Sequence, residues 1–264
     1  MALKIAISGK GGTGKTTVAA ILASLYARDG CRVLAVDADP ASSLPAALGV
    51  PEEVRKRIVP LSQMLDIIEE RTGARPGESY GNLFSLNPRV DDLVRRYAIR
   101  GGDCIDVLVL GTIKAPGSGC FCPESSLLKG LLRHLVMEDG SLLILDMEAG
   151  LEHLGRSTLR SVDVMVVVIE PGQRSVETGV RIASMAKDMG VREVCAILNK
   201  VSSSHHRDEL HRQLETAGLP YKGVIPLDLR LVEADLAGLR PIDCGAEQVF
   251  QEIARLREHI DKIT

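Results

Sequence analysis

The chain has 264 residues, of which 45% are hydrophobic and 25% are charged. This length and apolar fraction suit a single α/β domain with a large core. Because the chain contains four Tyr, three Phe and no Trp, we expect that core to be aliphatic. The formal net charge of −3 gives no overall basic field, which argues against non-specific DNA binding as the main activity.

Two further features of the sequence bear on location. The first predicted strand begins within three residues of the N-terminus, which leaves no room for a signal peptide. No apolar run approaches the roughly 18 residues that a membrane-spanning helix needs. We therefore expect a cytoplasmic protein with neither a membrane nor a nucleic acid as partner. The six cysteines are then expected to be reduced thiols.

A glycine-rich segment lies between an apolar run at 3–8 and another at 18–23, and it reads Gly9-Lys10-Gly11-Gly12-Thr13-Gly14-Lys15-Thr16-Thr17. The spacing Gly-x4-Gly-Lys-Thr between a predicted strand and a predicted helix is the full P-loop pattern. Its glycines let backbone N–H groups turn inward around an anion, and the helix adds its positive N-terminal end. We predict ATP or ADP with Mg²⁺ here, Lys15 on the β- and γ-phosphates and the Thr16 hydroxyl on the metal. The predicted nucleotide-binding residues of the loop are Gly11, Gly12, Thr13, Gly14, Lys15, Thr16 and Thr17.

Lys10 is an additional positive charge, because a plain P-loop needs only the lysine before Thr16. The variant Gly-Lys-Gly-Gly-x-Gly-Lys-Thr-Thr resembles the deviant Walker A motif of the nitrogenase iron protein, MinD and ParA group of dimeric P-loop ATPases. The resemblance implies a homodimer formed with ATP, in which Lys10 reaches across the interface to the partner's nucleotide and contributes to catalysis. A solvated surface lysine is the alternative.

The apolar run at 31–36 ends in the acidic segment Asp37-Ala38-Asp39-Pro40. Such a run predicts a strand that delivers carboxylates to the C-terminal edge of a sheet, where open α/β sheets bind their ligands. In the resembling group this Asp-x-Asp segment is switch I. The resemblance implies that Asp39 lies near the γ-phosphate and its attacking water, with Asp37 nearer the Mg²⁺. An ordinary turn before Pro40 is the alternative.

Residues 50–102 are the least informative part of the sequence. They carry a helical pattern around 61–68 and are longer than a normal connection between elements. We predict an insertion that carries partner contacts, although the residues do not identify the partner.

Two cysteines, Cys120 and Cys122, lie in a Gly- and Pro-rich loop between a predicted buried strand at 105–111 and a predicted helix at 123–136. A helix N-terminus lowers the pKa of a thiol and favours the thiolate, which binds soft or borderline metals. One Cys-x-Cys supplies two ligands, whereas a closed tetrahedral thiolate site needs four. A second copy of the chain across a two-fold axis can supply the other pair. Two small residues in a loop are the alternative.

Two later strand ends carry polar residues. The apolar run at 142–145 precedes Asp146, the Walker B position, where a carboxylate binds Mg²⁺ directly or through water. Gly150 offers a peptide N–H to the γ-phosphate, so residues 146–150 are predicted to form switch II. Asn199 lies at the end of the predicted strand at 193–200. In related ATPases an asparagine here hydrogen-bonds the adenine, since an amide both donates and accepts; a turn-forming asparagine is the alternative.

Three blocks together resemble the CooC-type ATPases, which assist nickel insertion into carbon monoxide dehydrogenase: residues 9–17, the Cys120-Phe121-Cys122 loop and residues 146–156. The resemblance implies one Ni or Zn ion at the dimer interface, bound by Cys120 and Cys122 of both subunits. It also implies apo carbon monoxide dehydrogenase, or a similar nickel enzyme, as partner. The residues themselves do not rank nickel against zinc.

The alternation of strands and helices predicts an α/β fold over residues 1–264, with a predominantly parallel central sheet covered by helices on both faces. Two other functions stay open beside the metallochaperone ATPase. A positioning ATPase like MinD or ParA is disfavoured by the acidic balance and the absence of a basic helix. An Fe–S electron-transfer ATPase like the nitrogenase iron protein takes its cysteines from two separated positions per chain, which differs from a local Cys-x-Cys.

Overall fold

The computed structural model describes residues 2–75, 85, 88–90, 92–111, 126–127, 130–131, 140–149 and 161–263. The strands in these ranges are β1 (Leu3–Gly9), β2 (Arg32–Ala38), β3 (Ile99–Arg100), β4 (Asp106–Val109), β5 (Ser141–Met147), β6 (Val164–Ile169), β7 (Glu193–Val201) and β8 (Tyr221–Pro226). The helices are α1 (Lys15–Arg28), α2 (Leu44–Ala47), α3 (Glu52–Arg55), α4 (Leu65–Thr72), α5 (Leu93–Tyr97), α6 (Gln173–Asp188), α7 (Ser204–Thr216), α8 (Leu229–Leu236) and α9 (Glu247–Asp261).

The strands form one sheet in the order β3-β4-β2-β5-β1-β6-β7-β8. All neighbouring pairs are parallel except β3 with β4 at the edge. β1 lies at the centre, so that the loop after it opens between the ends of β5 and β6. The predicted parallel α/β sheet is confirmed, with one short antiparallel strand added to it.

Two hydrophobic cores lie on opposite faces of this sheet, because successive side chains of a strand point to opposite sides. Ala6 belongs to one core, while Ile5 and Ile7 belong to the other. Helices α6 and α7 contribute buried residues to the first core, and α1 and α9 to the second. β6 is buried at all of its positions, as expected for a strand covered on both sides. The prediction of helices on both faces is confirmed.

The described residues of the 50–102 region pack on the sheet with few regular elements. The helical pattern predicted around 61–68 is a 3-10 turn at Leu61–Gln63 followed by α4. Leu61, Ile68 and Leu93 are fully buried in the same core as α6 and α7. The assignment of this region as an insertion stays a prediction. No described helix is long and apolar enough to cross a membrane.

Candidate nucleotide-binding site

The glycine-rich segment is a loop from the end of β1 to the start of α1, as predicted. Gly14 is the N-cap of α1 with φ of 92°, a left-handed conformation that glycine adopts readily. A side chain at Gly14 would collide with the amide of Asn199, and one at Gly9 would collide with the carbonyl of Val168. These two glycines therefore allow the loop to lie directly against the ends of β6 and β7.

Thr13 closes the loop on itself. Its hydroxyl donates to the carbonyl oxygen of Lys10 at 2.8 Å, and its N–H donates to the same oxygen at 3.3 Å. Gly11 and Gly12 are exposed at the crown of the loop, while Thr16 and Thr17 are half-buried in the first turn of α1. The direct nucleotide contacts assigned to this loop stay predictions.

Lys15 and Asp39 are brought together from the P-loop and the segment after β2. The Nζ of Lys15 lies 3.5 Å from Oδ2 of Asp39, and the Lys15 side chain is only 6% exposed. A buried ammonium needs an anionic partner, because burial without one costs several kcal/mol. Asp39 supplies that partner here, and the phosphates of a nucleotide carry the same charge. The two residues predicted to act on the γ-phosphate thus lie next to each other.

Thr16 and Asp146 form a second pair at the end of β5. The Thr16 hydroxyl donates to Oδ2 of Asp146 at 2.6 Å, and Asp146 is fully buried. Among the described residues, no hydrogen-bond donor reaches its other oxygen, Oδ1. Burial raises the pKa of Asp146 to about 6, against the opposing effects of the Thr16 hydrogen bond and the Lys15 charge. A buried oxygen without a donor beside a hydroxyl fits Mg²⁺, which prefers oxygen ligands, so Thr16 and Asp146 would hold it.

Asp37 lies level with Asp146 in the β2–β5 pairing and is also fully buried. Its Oδ1 accepts from the Asp39 N–H at 3.1 Å, and its Oδ2 accepts from the Leu44 N–H at 3.0 Å. Burial, followed by the charge of Asp146, raises the pKa of Asp37 to about 7. Asp37 therefore holds the turn that carries Asp39, a role that the sequence analysis missed. Its part in the metal site stays a prediction.

Lys10 points away from this cluster. Its side chain is 42% exposed, and its Nζ lies 4.0 Å from Oε1 of Glu170, just after β6. A cavity of about 570 Å³ opens here between Lys10, Glu170 and the first turns of α6. An exposed lysine on this rim is available to a second subunit, although its contact with a partner's nucleotide stays a prediction.

Asn199 and its neighbour hold the loop from the side of β7. The Asn199 amide donates to the carbonyl of Thr13 at 2.7 Å, and its oxygen accepts from the Lys200 N–H at 2.9 Å. The adenine contact assigned to Asn199 stays a prediction, whereas its contact with the P-loop was not anticipated. Lys200 and Glu170 were also missed; the available signal was that each directly follows a buried run.

Ser8 links the P-loop strand to the Walker B segment. Its buried hydroxyl donates to the carbonyl of Glu148 at 3.0 Å. In the sequence, this contact was indicated by a single polar residue directly after the apolar run 5–7.

Three predicted site residues, Cys120, Cys122 and Gly150, lie outside the described residues. Within the described ranges, no group of three or more His, Cys, Asp or Glu could hold a metal ion.

The site thus combines a glycine loop before a helix N-terminus, a buried lysine facing a carboxylate, and a threonine hydroxyl on a buried Walker B aspartate. All of them lie at the carboxyl edge of a parallel sheet, where such folds bind their ligands. The protein is a P-loop ATPase.

Comparison with known proteins gives the family. The CobQ/CobB/MinD/ParA nucleotide binding domain matches residues 4–242 of the chain, which therefore belongs to this family. A carbon monoxide dehydrogenase accessory protein, CooC from Rhodospirillum rubrum, is 42% identical over 241 residues, which cover 91% of this chain and 90% of that protein. An ATP-binding protein of Methanocaldococcus jannaschii is 44% identical over 263 residues, covering 99% and 98% of the two chains.

The fold has its counterpart among solved structures. The septum site-determining protein MinD of Pyrococcus horikoshii OT3, solved in complex with Mg-ADP, superimposes with a TM-score of 0.68 at 21% identity. The match covers 100% of this chain and 97% of that one. This likeness shows the fold alone, and the similarity to CooC rests on the sequence comparison.

Proposed function

We propose that the protein is an ATP-hydrolysing metallochaperone that assists nickel insertion into carbon monoxide dehydrogenase or a similar nickel enzyme. The observation that carries this proposal is the 42% identity, over 91% of the chain, to an accessory protein of that enzyme. The segment Cys120-Phe121-Cys122 adds two thiols one residue apart, which is a ligand arrangement that the ATPase chemistry itself does not need.

In this proposal the chain's own residues carry the ATPase step. Lys15 leaves Asp39 for the phosphates, because both partners of the lysine are anions and the nucleotide brings the greater charge. Asp39, released from the lysine, then orients the attacking water. Thr16 and Asp146 would hold Mg²⁺, which would neutralise charge on the phosphates. Phosphoryl transfer needs positioning and charge stabilisation rather than a covalent intermediate.

The metal cargo is assigned to the cysteines. Cys120 and Cys122 from each of two subunits would complete four thiolate ligands when ATP closes a homodimer. Because thiols must lose their protons to bind, the affinity for Ni²⁺ or Zn²⁺ would rise with pH. Release of phosphate would then open the dimer and free the metal for the client enzyme.

The test is metal stoichiometry together with mass in solution, under reducing conditions, with ADP and with a non-hydrolysable ATP analogue. The double variant Cys120→Ala/Cys122→Ala is compared with Cys104→Ala/Cys244→Ala, two described free cysteines outside the motif. We expect one Ni²⁺ or Zn²⁺ per dimer in the wild type and the control, and none in the first variant.

Two other results would replace the proposal. A nucleotide-dependent dimer that binds no metal would favour a positioning ATPase of the MinD or ParA kind. Visible absorbance from an iron–sulfur cluster in anaerobically purified protein would favour an electron-transfer or cluster-carrying ATPase.

A further inference from the structure

Two consecutive residues at the end of β7 donate to two consecutive carbonyl groups of the P-loop. The Asn199 amide reaches the carbonyl of Thr13 at 2.7 Å, and the Lys200 ammonium reaches the carbonyl of Gly12. The same ammonium lies 3.0 Å from Oε2 of Glu170, which follows β6. Lys200 therefore joins the carboxyl ends of β1, β6 and β7, three strands that are neighbours in the sheet.

Lys200 reaches these partners from a strained backbone. Its φ is 58°, a left-handed conformation that is uncommon for a residue with a side chain. The oxygen of Asn199 accepts from the Lys200 N–H at 2.9 Å and locks this turn. Strain that is held in place by several contacts is characteristic of functional positions. Neither the Walker motifs nor the metal cargo accounts for it.

We propose that Lys200 is a positioning residue that holds the P-loop in its nucleotide-binding conformation before nucleotide binds. The C=O and N–H of a peptide group point in opposite directions. When a side chain of β7 holds a loop carbonyl, the N–H of the same peptide group therefore points away from β7. The contact of Asn199 with the Thr13 carbonyl does this for the N–H of Gly14. Lys200 fixes the preceding peptide group, whose N–H on Thr13 donates to the carbonyl of Lys10, and so keeps the crown of the loop from collapsing. Ordering the loop in advance removes part of the entropy loss on binding.

This proposal goes beyond metal delivery and rests only on the ATPase site. Because a preset loop contacts the phosphates equally in the ground state and the transition state, its loss weakens binding more than turnover. The effect acts on the phosphates and not on the base. It is therefore expected for inorganic pyrophosphate as well as for ADP.

The experiment compares Lys200→Met with Lys200→Gly, which removes the same ammonium but relieves the backbone strain. We expect the dissociation constant of ADP, the inhibition constant of pyrophosphate and KM for ATP to rise about tenfold in both variants, with kcat within about twofold. Lys200→Arg, which keeps the charge and donors, should recover part of the affinity. Lys56→Met, on an exposed lysine paired with Glu52, is the matched control and should bind as the wild type does.

Each contrary result would overturn the proposal. ADP affinity equal to that of the wild type in Lys200→Gly, which relieves the backbone strain, would show that the ammonium does not position the loop. A loss for ADP without a loss for pyrophosphate would instead indicate a direct contact with the nucleoside. A fall in kcat with unchanged KM would place Lys200 in the chemical step.

Discussion

At the scale of single residues, the site is a cluster of charges of which three are buried. Lys15, Asp37 and Asp146 are all buried, and only Lys15 brings a positive charge. Burial therefore disfavours the ionised form of the two deepest carboxyls and raises the pKa of each. A divalent cation would supply the missing positive charge. In the protein without metal, the ionised forms of these two carboxyls are thus expected to lower the stability of the fold.

The cost of ionising a buried carboxyl predicts that the stability of the fold depends on pH. A carboxyl whose pKa is raised by folding, as for Asp146 at about 6, contributes stability below its unfolded pKa near 4 and loses it as the pH rises through 6. Asp146→Asn removes this titration. The difference in unfolding free energy, variant minus wild type, should therefore increase by about 1 kcal/mol from pH 5 to pH 8 in protein free of metal and nucleotide. Chemical denaturation at both pH values measures it, and a difference that is flat or decreases would contradict the prediction.

At the scale of elements, the site is assembled from the carboxyl ends of five adjacent strands, β2, β5, β1, β6 and β7. The sequence predicted the ends that carry a dense local pattern, such as the P-loop after β1 and the acidic residues at the ends of β2 and β5. It did not predict which hydrogen bonds join one strand end directly to another. Asn199 and Thr13 are 186 positions apart, and Ser8 and Glu148 are 140 apart. Such pairs depend on strand order, which periodicity and spacing do not determine.

The turn after β2 shows how one buried carboxylate organises an element. Asp37 accepts from the N–H groups of Asp39 and Leu44, so Asp37→Ala leaves one partly buried and one buried donor without its acceptor. We expect a loss of about 2–4 kcal/mol in unfolding free energy. Because Asp39 is then poorly placed, kcat should fall while ADP affinity is largely retained. Denaturation and steady-state kinetics test both parts. Asp66→Ala, on an exposed aspartate of α4, is the control, and equal effects in the two variants would refute this role.

At the scale of the whole molecule, the parallel sheet brings polar residues from distant parts of the sequence together at its carboxyl edge. Helices α1 and α9 cover one side of the sheet and α6 and α7 the other, so the carboxyl edge is left to the ligand. Lys10 lies on the rim of that edge, beside the 570 Å³ cavity and away from the buried charges. The side chains of Thr13, Asn199 and Lys200 contact the backbone of the P-loop, whereas the Lys10 ammonium lies near Glu170.

An exposed lysine in this position either contacts a second subunit or is a solvated surface residue. If it reaches the partner's nucleotide, Lys10→Ala should bind ADP within about twofold of the wild type, because its own site is intact. The variant should fail to dimerise with a non-hydrolysable ATP analogue and lose about a hundredfold in turnover, since a charge that stabilises the transition state is missing. Mass in solution and phosphate release measure the two effects, with Lys56→Ala as the control on an exposed lysine. Unchanged turnover would mean that Lys10 is a surface residue, and that the dimer, if it forms, closes without it.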